Sequence, residues 1–102
     1  PSLVGSEMCI RDRYIIEHHP ERKRFETTCD GYTAYIEYVE VRKGLDLVHT
    51  IVPPPIGGRG VAAALVKYVL EYAGAHNLFI VPSCSYVDAY IRKHPEYDSL
   101  VL

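Results

Sequence analysis

The segment that most constrains this chain is a proline- and glycine-rich turn between an apolar strand and an apolar helix. Residues 53–60 read Pro-Pro-Pro-Ile-Gly-Gly-Arg-Gly, and a stretch rich in valine, alanine and leucine follows at once. Glycine has no Cβ, so the backbone at Gly57, Gly58 and Gly60 can turn sharply and approach a ligand closely. The first amides of the following helix have no acceptor within it and carry the positive end of its dipole. Such a turn favours binding of phosphate or pyrophosphate, and a tight turn without a ligand is the alternative.

Two common phosphate-binding patterns do not account for this turn. A P-loop ends in Gly-Lys-Ser or Gly-Lys-Thr, whereas Gly60 is followed by Val61 and Ala62. The dinucleotide spacing G-x-G-x-x-A is met by Gly58, Gly60 and Ala63. That pattern also requires a parallel βαβ unit and an acidic residue after the second strand. The strand expected there runs into a proline, a serine and a cysteine, so the dinucleotide interpretation is weak.

The hydrophobic pattern predicts the order of strands and helices. We expect strands at 14–18, 24–28, 32–41, 45–52 and 78–81 and helices at 60–76 and 85–93. The second helix ends before His94-Pro95, because a residue that precedes proline avoids the helical region. The last strand is expected to lie parallel to the fourth through the helical crossover. This order predicts an α/β (α+β) fold with a mostly antiparallel sheet, one parallel strand pair and two main helices.

Composition argues against several classes of partner. The chain has 102 residues and a formal net charge of −2, which does not favour nucleic-acid binding. It has no apolar run of about 18 residues that would span a membrane. Cys29 and Cys84 are too far apart in the sequence for a metal motif or a disulfide framework. We expect one cytoplasmic domain without a metal, nucleic-acid or membrane partner.

The N-terminal segment has a separate explanation. Residues 3–13 read Leu-Val-Gly-Ser-Glu-Met-Cys-Ile-Arg-Asp-Arg and resemble translated DNA of a transposase-based sequencing adapter. They lack the basic start and the apolar stretch of a signal peptide. We therefore interpret residues 1–13 as a non-native tail and assign the domain to residues 14–102.

A combination of short motifs connects the chain to a known family. The motifs are His49-Thr50-x-Val52-Pro53, Gly58-x-Gly60-x-Ala62, Pro82-x-Cys84-x-Tyr86-Val87 and His94-Pro95-Glu96-Tyr97-x-x-Leu100. Together they resemble the small, single-domain GNAT-like N-acetyltransferases, and the resemblance covers about residues 14–102. It implies the GNAT fold, in which the parallel strand pair splays around acetyl-CoA.

The resemblance also implies which residues bind the coenzyme. The pantetheine would run beside the end of the fourth strand, and the pyrophosphate would bind the amides of the glycine turn. Pro55 stands where the family pattern has Gln or Arg, which removes one side-chain contact. Small members of the family lack the N-terminal helices that build the acceptor site, so the acceptor amine is left undefined. The implied coenzyme-binding residues are Ile51, Val52, Pro53, Gly57, Gly58, Arg59, Gly60, Val61 and Ala62.

Three side chains are candidates for the chemistry of acetyl transfer. The reaction needs a polarised thioester carbonyl, a proton acceptor for the amine and a proton donor for the departing thiolate. Cys84 precedes a helix, whose dipole lowers the pKa of a thiol there, and can protonate the thiolate or become acetylated. Tyr90 resembles the helix tyrosine that donates a proton in many GNAT enzymes, and His49 is a candidate base. The alternatives are a buried thiol, a core tyrosine and a structural histidine.

The sequence therefore favours an N-acetyltransferase that transfers acetyl directly from acetyl-CoA to an amine. A non-catalytic module that binds or senses acyl-CoA is one alternative. A protein-interaction domain with a purely structural glycine turn is the other. The side chain of Arg59 is expected either to pair with a coenzyme phosphate or to face water.

Overall fold

The computed structural model describes residues 14–101, which form a five-stranded sheet and two main helices. The sheet order is β1-β2-β3-β4-β5; the first four strands pair antiparallel and β4 pairs parallel with β5. This arrangement confirms the α+β prediction and the parallel strand pair. The strands are β1 Glu17–His19, β2 Arg24–Cys29, β3 Tyr32–Val41, β4 Gly44–Ile51 and β5 Phe79–Val81; the helices are α1 Val61–Ala75 and α2 Ser85–Lys93, with 3₁₀ turns at Pro54–Ile56 and Pro95–Leu100.

One face of the sheet carries the core. On β3, Ala34, Ile36 and Tyr38 alternate with more exposed residues and are buried, as expected for a strand with one covered face. Phe25 on β2 lies opposite Ile36, and Leu47 on β4 lies opposite Tyr38, so the buried side chains form continuous rows across the strands. Helix α1 packs on this face through Val61, Leu65, Val66, Val69, Leu70 and Ala73.

The opposite face of the sheet is more open. It carries Val39, which is 52% exposed, and Ile51, which is 43% exposed. Ile51 lies opposite Tyr35 of β3, and Val39 lies opposite Asp46 of β4. The two faces of this sheet therefore offer different environments to any side chain on β4.

A β-bulge in β4 exchanges these faces along the strand. Tyr38 of β3 lies opposite Leu47 of β4. Glu37, which precedes Tyr38 on β3, lies opposite His49, so Val48 is the extra residue on β4. Side chains alternate between faces, and one extra residue reverses which of them point towards the core. Beyond the bulge Thr50, not His49, lies on the face of the core.

The sheet opens between β4 and β5. Their parallel pairs extend only from Gly44 and Phe79 to Asp46 and Val81. After that point the chain past β5 makes one further backbone hydrogen bond to β4 within the described residues, from the Cys84 amide to the Leu47 carbonyl at 2.8 Å. Within residues 14–101, the rest of this edge of β4 has no strand partner. This is the splayed strand pair that the sequence motifs implied.

The first strand is shorter than the sequence predicted. The structure pairs only Glu17–His19 with β2, whereas the predicted strand began at residue 14. The reason lies in Tyr14, whose hydroxyl donates to the Arg59 carbonyl at 2.6 Å and directs this segment towards the glycine turn. The interpretation of residues 1–13 as a tail concerns residues outside those that the structure describes.

Close contact between β4 and β5 gives a stability prediction. A Cβ placed on Gly44 would overlap the carbonyl oxygen of Phe79 and lie 2.8 Å from its carbonyl carbon. We expect Gly44→Ala to lower the free energy of unfolding by about 1–3 kcal/mol, because β5 must move away. Gly74→Ala is the matched control, since its Cβ would lie 3.8 Å from Leu100 in ordinary contact. It should raise stability by about 0.5–1 kcal/mol. Thermal unfolding of both variants measures this, and equal melting temperatures would contradict the close approach.

Candidate functional site

The glycine turn presents a concave backbone surface. Gly58 and Gly60 have φ angles of +77° and +80°, and a Cβ on either would meet nothing within 4 Å. Only glycine adopts this left-handed region without strain, and the space beside both residues is open. No side chain of the described residues caps α1, and its first internal hydrogen bond joins the Ala64 amide to the Gly60 carbonyl at 3.0 Å. The amides of residues 61–63 therefore have no acceptor within the helix.

A cavity of about 290 Å³ lies against this turn. It is bounded by the end of β4, the turn, the first residues of α1 and the start of α2. None of its lining side chains is charged, so no carboxylate opposes an anion there and the helix dipole favours one. The lining residues are Val52, Gly57, Gly58, Gly60, Val61, Ala62, Ala63 and Tyr86.

Cys84 lies at the splayed end of the sheet and is the N-cap residue of α2. Its thiol donates to the Thr50 hydroxyl, with Sγ and Oγ1 3.4 Å apart. The bulge in β4 makes this contact possible, because it turns Thr50 to the face on which Ile36 is buried. Thr50 was not among the residues expected from the sequence, and a bulge leaves no signal in the hydrophobic pattern.

The environment of Cys84 lowers the pKa of its thiol. Burial alone would raise that pKa, but hydrogen bonding from the Thr50 side chain and from the amides of Val87, Tyr86 and Thr50 outweighs it. The amides of Tyr86 and Val87 belong to the first turn of α2, although none is placed well enough to form a formal cap bond with the sulfur. The first turn of α2 thus helps to lower the pKa of the Cys84 thiol, as its position before a helix predicted.

His49 lies away from this thiol. It is exposed on the open face of the sheet, opposite Glu37, because the bulge reverses the alternation before it. It does not line the 290 Å³ cavity. The structure therefore does not bring His49 together with Cys84, and its role as a base stays a prediction.

The two tyrosines of α2 line different cavities. Tyr86 lines the 290 Å³ cavity, whereas Tyr90, one turn later, lines an adjoining cavity of about 530 Å³. Tyr90 also stacks on His94, with ring centroids 4.1 Å apart. Burial raises the pKa of both phenols, so both keep their protons at neutral pH. Tyr86 belongs to one of the short motifs but was not predicted to take part in catalysis. The sequence shows only that Tyr86 and Tyr90 are one helical turn apart, which does not indicate which of them lines the smaller cavity.

Arg59 is engaged elsewhere. Its guanidinium donates to the Asp30 carboxylate at 2.6 Å and to Cys29 Sγ at 3.6 Å, and so connects the glycine turn to the β2–β3 turn. It does not line either cavity beside the glycine turn. Of the expected coenzyme residues on β4 and after it, Val52 lines the smaller cavity, and Ile51 and Pro53 flank it in the chain.

Two absences hold for the part of the chain that the structure describes. No group of three or more His, Cys, Asp or Glu side chains in residues 14–101 is arranged to hold a metal ion. None of the helices found there has the length and apolar character needed to cross a membrane.

Comparison with known proteins assigns the family. A family model described as GCN5-related N-acetyl-transferase matches residues 24–100, which is most of the chain. The chain belongs to the GCN5-related N-acetyltransferase family. The matched range contains β2 to α2, and thus the bulge, the glycine turn and the splayed strand pair on which the site depends. The family membership expected from the short motifs is confirmed.

Two relatives and one solved structure are similar to this family member over most of their length. It is 31% identical to protein NATD1 of Xenopus tropicalis over 84 residues, covering 78% of this chain and 76% of that protein. It is 29% identical to protein NATD1 of Danio rerio over 99 residues, covering 91% and 89%. A GCN5-like protein of Staphylococcus aureus, solved by NMR, superposes with a TM-score of 0.69 at 31% identity, covering 86% and 87%. The GNAT fold is therefore shared along nearly the whole described domain.

The thiol of Cys84 gives a testable pH dependence. Its lowered pKa means that thiolate forms at a lower pH than for an ordinary cysteine, and only thiolate reacts with iodoacetamide. We expect labelling of Cys84 to rise with a midpoint below that of a free cysteine. Peptide mass spectrometry across a pH series measures the midpoint. In Thr50→Val the midpoint should move upwards, since one hydrogen bond to the thiolate is lost. An unchanged midpoint would show that Thr50 does not stabilise the thiolate.

Proposed function

We propose that this protein is an acetyl-CoA-dependent N-acetyltransferase that acts by direct transfer to an amine. One observation carries the proposal: in a chain of the GCN5-related family, the uncapped amides of α1 border an uncharged cavity whose lining residues Val52 and Tyr86 each lie two positions along the chain from the Thr50–Cys84 pair. The glycine turn fits the diphosphate group, because its backbone leaves open space and offers N–H donors to an anion.

The residues that would hold the coenzyme follow from this arrangement. The amides of residues 61–63 would bind the pyrophosphate, and the open edge of β4 from residue 48 onwards offers backbone groups to the amides of pantetheine. When bound, acetyl-CoA supplies a thioester whose carbonyl carbon forms a bond to an amine nitrogen as its C–S bond breaks and a thiolate leaves. A backbone amide at residue 51 or 52 is our candidate donor to the carbonyl oxygen.

Cys84 is the candidate proton donor for the thiolate. Its Sγ carries a proton that it shares with Thr50, and a lowered pKa makes it a better acid than an ordinary thiol. Tyr86 lines the 290 Å³ cavity at the glycine turn and is a second candidate proton donor. The proton that the amine loses goes to solvent or to a base on the acceptor side, and His49 would serve only for an acceptor that approaches from the open face.

A steady-state assay tests the proposal. The full-length protein is incubated with acetyl-CoA and a panel of small amines and lysine peptides, and release of free thiol is followed. We expect amine-dependent release that requires Cys84. Coenzyme binding without release for any amine would favour the non-catalytic acyl-CoA-binding alternative. Absence of both binding and release would favour a structural role for the glycine turn. The amine acceptor and the cytoplasmic location remain predictions.

A further inference from the structure

A cavity of about 550 Å³ lies at the C-terminal end of α1, away from the glycine turn. It is bounded by β1 and the turn after it, the β3–β4 hairpin, the last turn of α1 and the residue before β5. It shares no lining residue with either cavity beside the glycine turn, and Tyr72 on its wall lies roughly 16 Å along α1 from Val61. Its volume falls in the range of about 300–1,000 Å³ that is usual for small-molecule sites. The acetyl transfer proposed above does not use it.

The imidazole of His18 is held in a fixed orientation on one wall of this cavity. One of its faces stacks on the buried Phe25 ring, with centroids 4.1 Å apart and planes 5° from parallel. Its Nε2 atom lies 2.6 Å from the Tyr38 hydroxyl oxygen. The other two rings beside it are not parallel to it, because Tyr38 is tilted by 50° and Tyr72 meets it edge-on at 73°. Within residues 14–101 the second face of the imidazole therefore has no stacked partner.

A planar ring is the group that best extends this stack. Aromatic rings that stack with an offset gain energy beyond the apolar area that they bury. Burial lowers the pKa of His18, so the imidazole is uncharged at neutral pH and a ring can cover it without desolvating a charge. Leu45 and Leu78 add apolar surface to the lining. The body of a ligand that fits here is therefore aromatic.

The charges at this cavity favour a ligand with a negative group. Two carboxylates act electrostatically on the imidazole, and each has a cationic partner. Glu40 accepts a hydrogen bond from the Lys23 ammonium at 2.7 Å, and a Glu21 oxygen lies 3.8 Å from Arg22 Nε. Lys43 of the β3–β4 turn is exposed, lines the cavity and belongs to none of the ion pairs formed within residues 14–101. Its ammonium is thus available to an anion.

We propose that this cavity binds a small aromatic carboxylate, whose ring stacks on His18 and whose carboxylate pairs with Lys43. The site is separate from the glycine turn, so the aromatic carboxylate and CoA should bind the same chain at once. A ligand with the ring but no charge loses the pair with Lys43. A ligand with the charge but no planar ring loses the stack on His18.

Calorimetric titration of the full-length protein with phenylpropionate tests both contacts against matched ligands. Cyclohexylpropionate has the same charge and a similar size but no planar ring, and phenylpropanamide has the ring but no charge. We expect phenylpropionate to bind roughly two- to tenfold more tightly than either, since a stacked ring and an exposed ion pair each contribute modestly. Equal affinities for all three ligands, or no binding of phenylpropionate, would overturn the inference.

A charge-removing variant tests the contact with Lys43. Lys43→Gln should lower the affinity for phenylpropionate to that for phenylpropanamide and leave the affinity for the amide unchanged. Arg42→Gln is the control, because it removes a positive charge from an exposed residue of the same turn that does not line the cavity. It should leave both affinities nearly unchanged. Equal losses of phenylpropionate affinity in the two variants would overturn the pairing with Lys43.

NMR spectra of the wild-type protein test where the ring binds. A ring stacked on His18 should shift the imidazole C–H resonances upfield through its ring current, whereas cyclohexylpropionate should not. Saturation with CoA should leave this shift in place. Displacement of phenylpropionate by CoA, or shifts confined to the glycine turn, would overturn the inference while the proposed function stands. Binding of phenylpropionate beside His18 in a protein that binds no CoA would support the inference and contradict the proposed function.

Discussion

Replacing Gly60 with valine should weaken CoA binding by at least about 100-fold, which is the largest effect that we expect from one substitution. The φ angle of +80° forces a β-branched residue either into strain or out of the turn. The new side chain would also fill the open space beside the amides of residues 61–63, where the pyrophosphate is proposed to bind. Calorimetric titration with CoA measures the affinity, and thermal unfolding shows that the variant is folded.

Gly31→Val is the matched control for this experiment. Gly31 has a φ angle of +82° and open space around its missing Cβ, so valine imposes the same backbone strain. It lines neither of the two cavities beside the glycine turn. We expect both variants to lose about 1–2 kcal/mol of stability and only Gly60→Val to lose binding. Near-wild-type affinity in folded Gly60→Val would contradict the assignment of the pyrophosphate to this turn.

The second large effect should come from Cys84→Ala, which we expect to slow acetyl transfer by about 100-fold or more. The substitution removes the proton donor that is directed at the open edge of β4, while the coenzyme contacts proposed for the glycine turn are untouched. The affinity for CoA should therefore stay within a few-fold. The separation of turnover from binding identifies a group that acts on the chemical step.

The pH profile makes the same test sharper. A donor must be protonated, so transfer that depends on Cys84 should fall as the pH rises through its lowered pKa. Thr50→Val should move this fall to higher pH, because it removes the hydrogen bond that lowers the pKa. Bound acetyl-CoA should also slow alkylation of Cys84. Full turnover in Cys84→Ala, together with no protection by coenzyme, would show that Cys84 only packs against the sheet.

Local chemistry made much of the fold predictable from sequence. Alternation placed Ala34, Ile36 and Tyr38 on the buried face of β3, and the glycines at 58 and 60 occupy the left-handed positions where glycine is favoured. Helix α2 begins at Ser85, as predicted, and the thiol that precedes it has the lowered pKa that a helix start favours. These features depend on neighbours within a few residues, which a sequence displays directly.

What could not be predicted depends on pairing between distant segments. The bulge at Val48 is set by the register of β4 on β3. It places the Thr50 side chain beside Cys84 and the His49 side chain on the open face of the sheet. Tyr86 and Tyr90 are one turn apart on the same helix, and only its packing decides which lines the smaller cavity. The pairing of Arg59 with Asp30 joins two turns that are distant in sequence.

The most direct test of the central claim is native mass spectrometry of the intact protein with acetyl-CoA at micromolar concentrations. We expect one acetyl-CoA to bind each chain in the wild-type protein and in Gly31→Val, and the complex to be absent from Gly60→Val. The same complex in all three proteins would mean that the coenzyme binds somewhere other than the glycine turn. No complex with the wild-type protein would contradict the account as a whole.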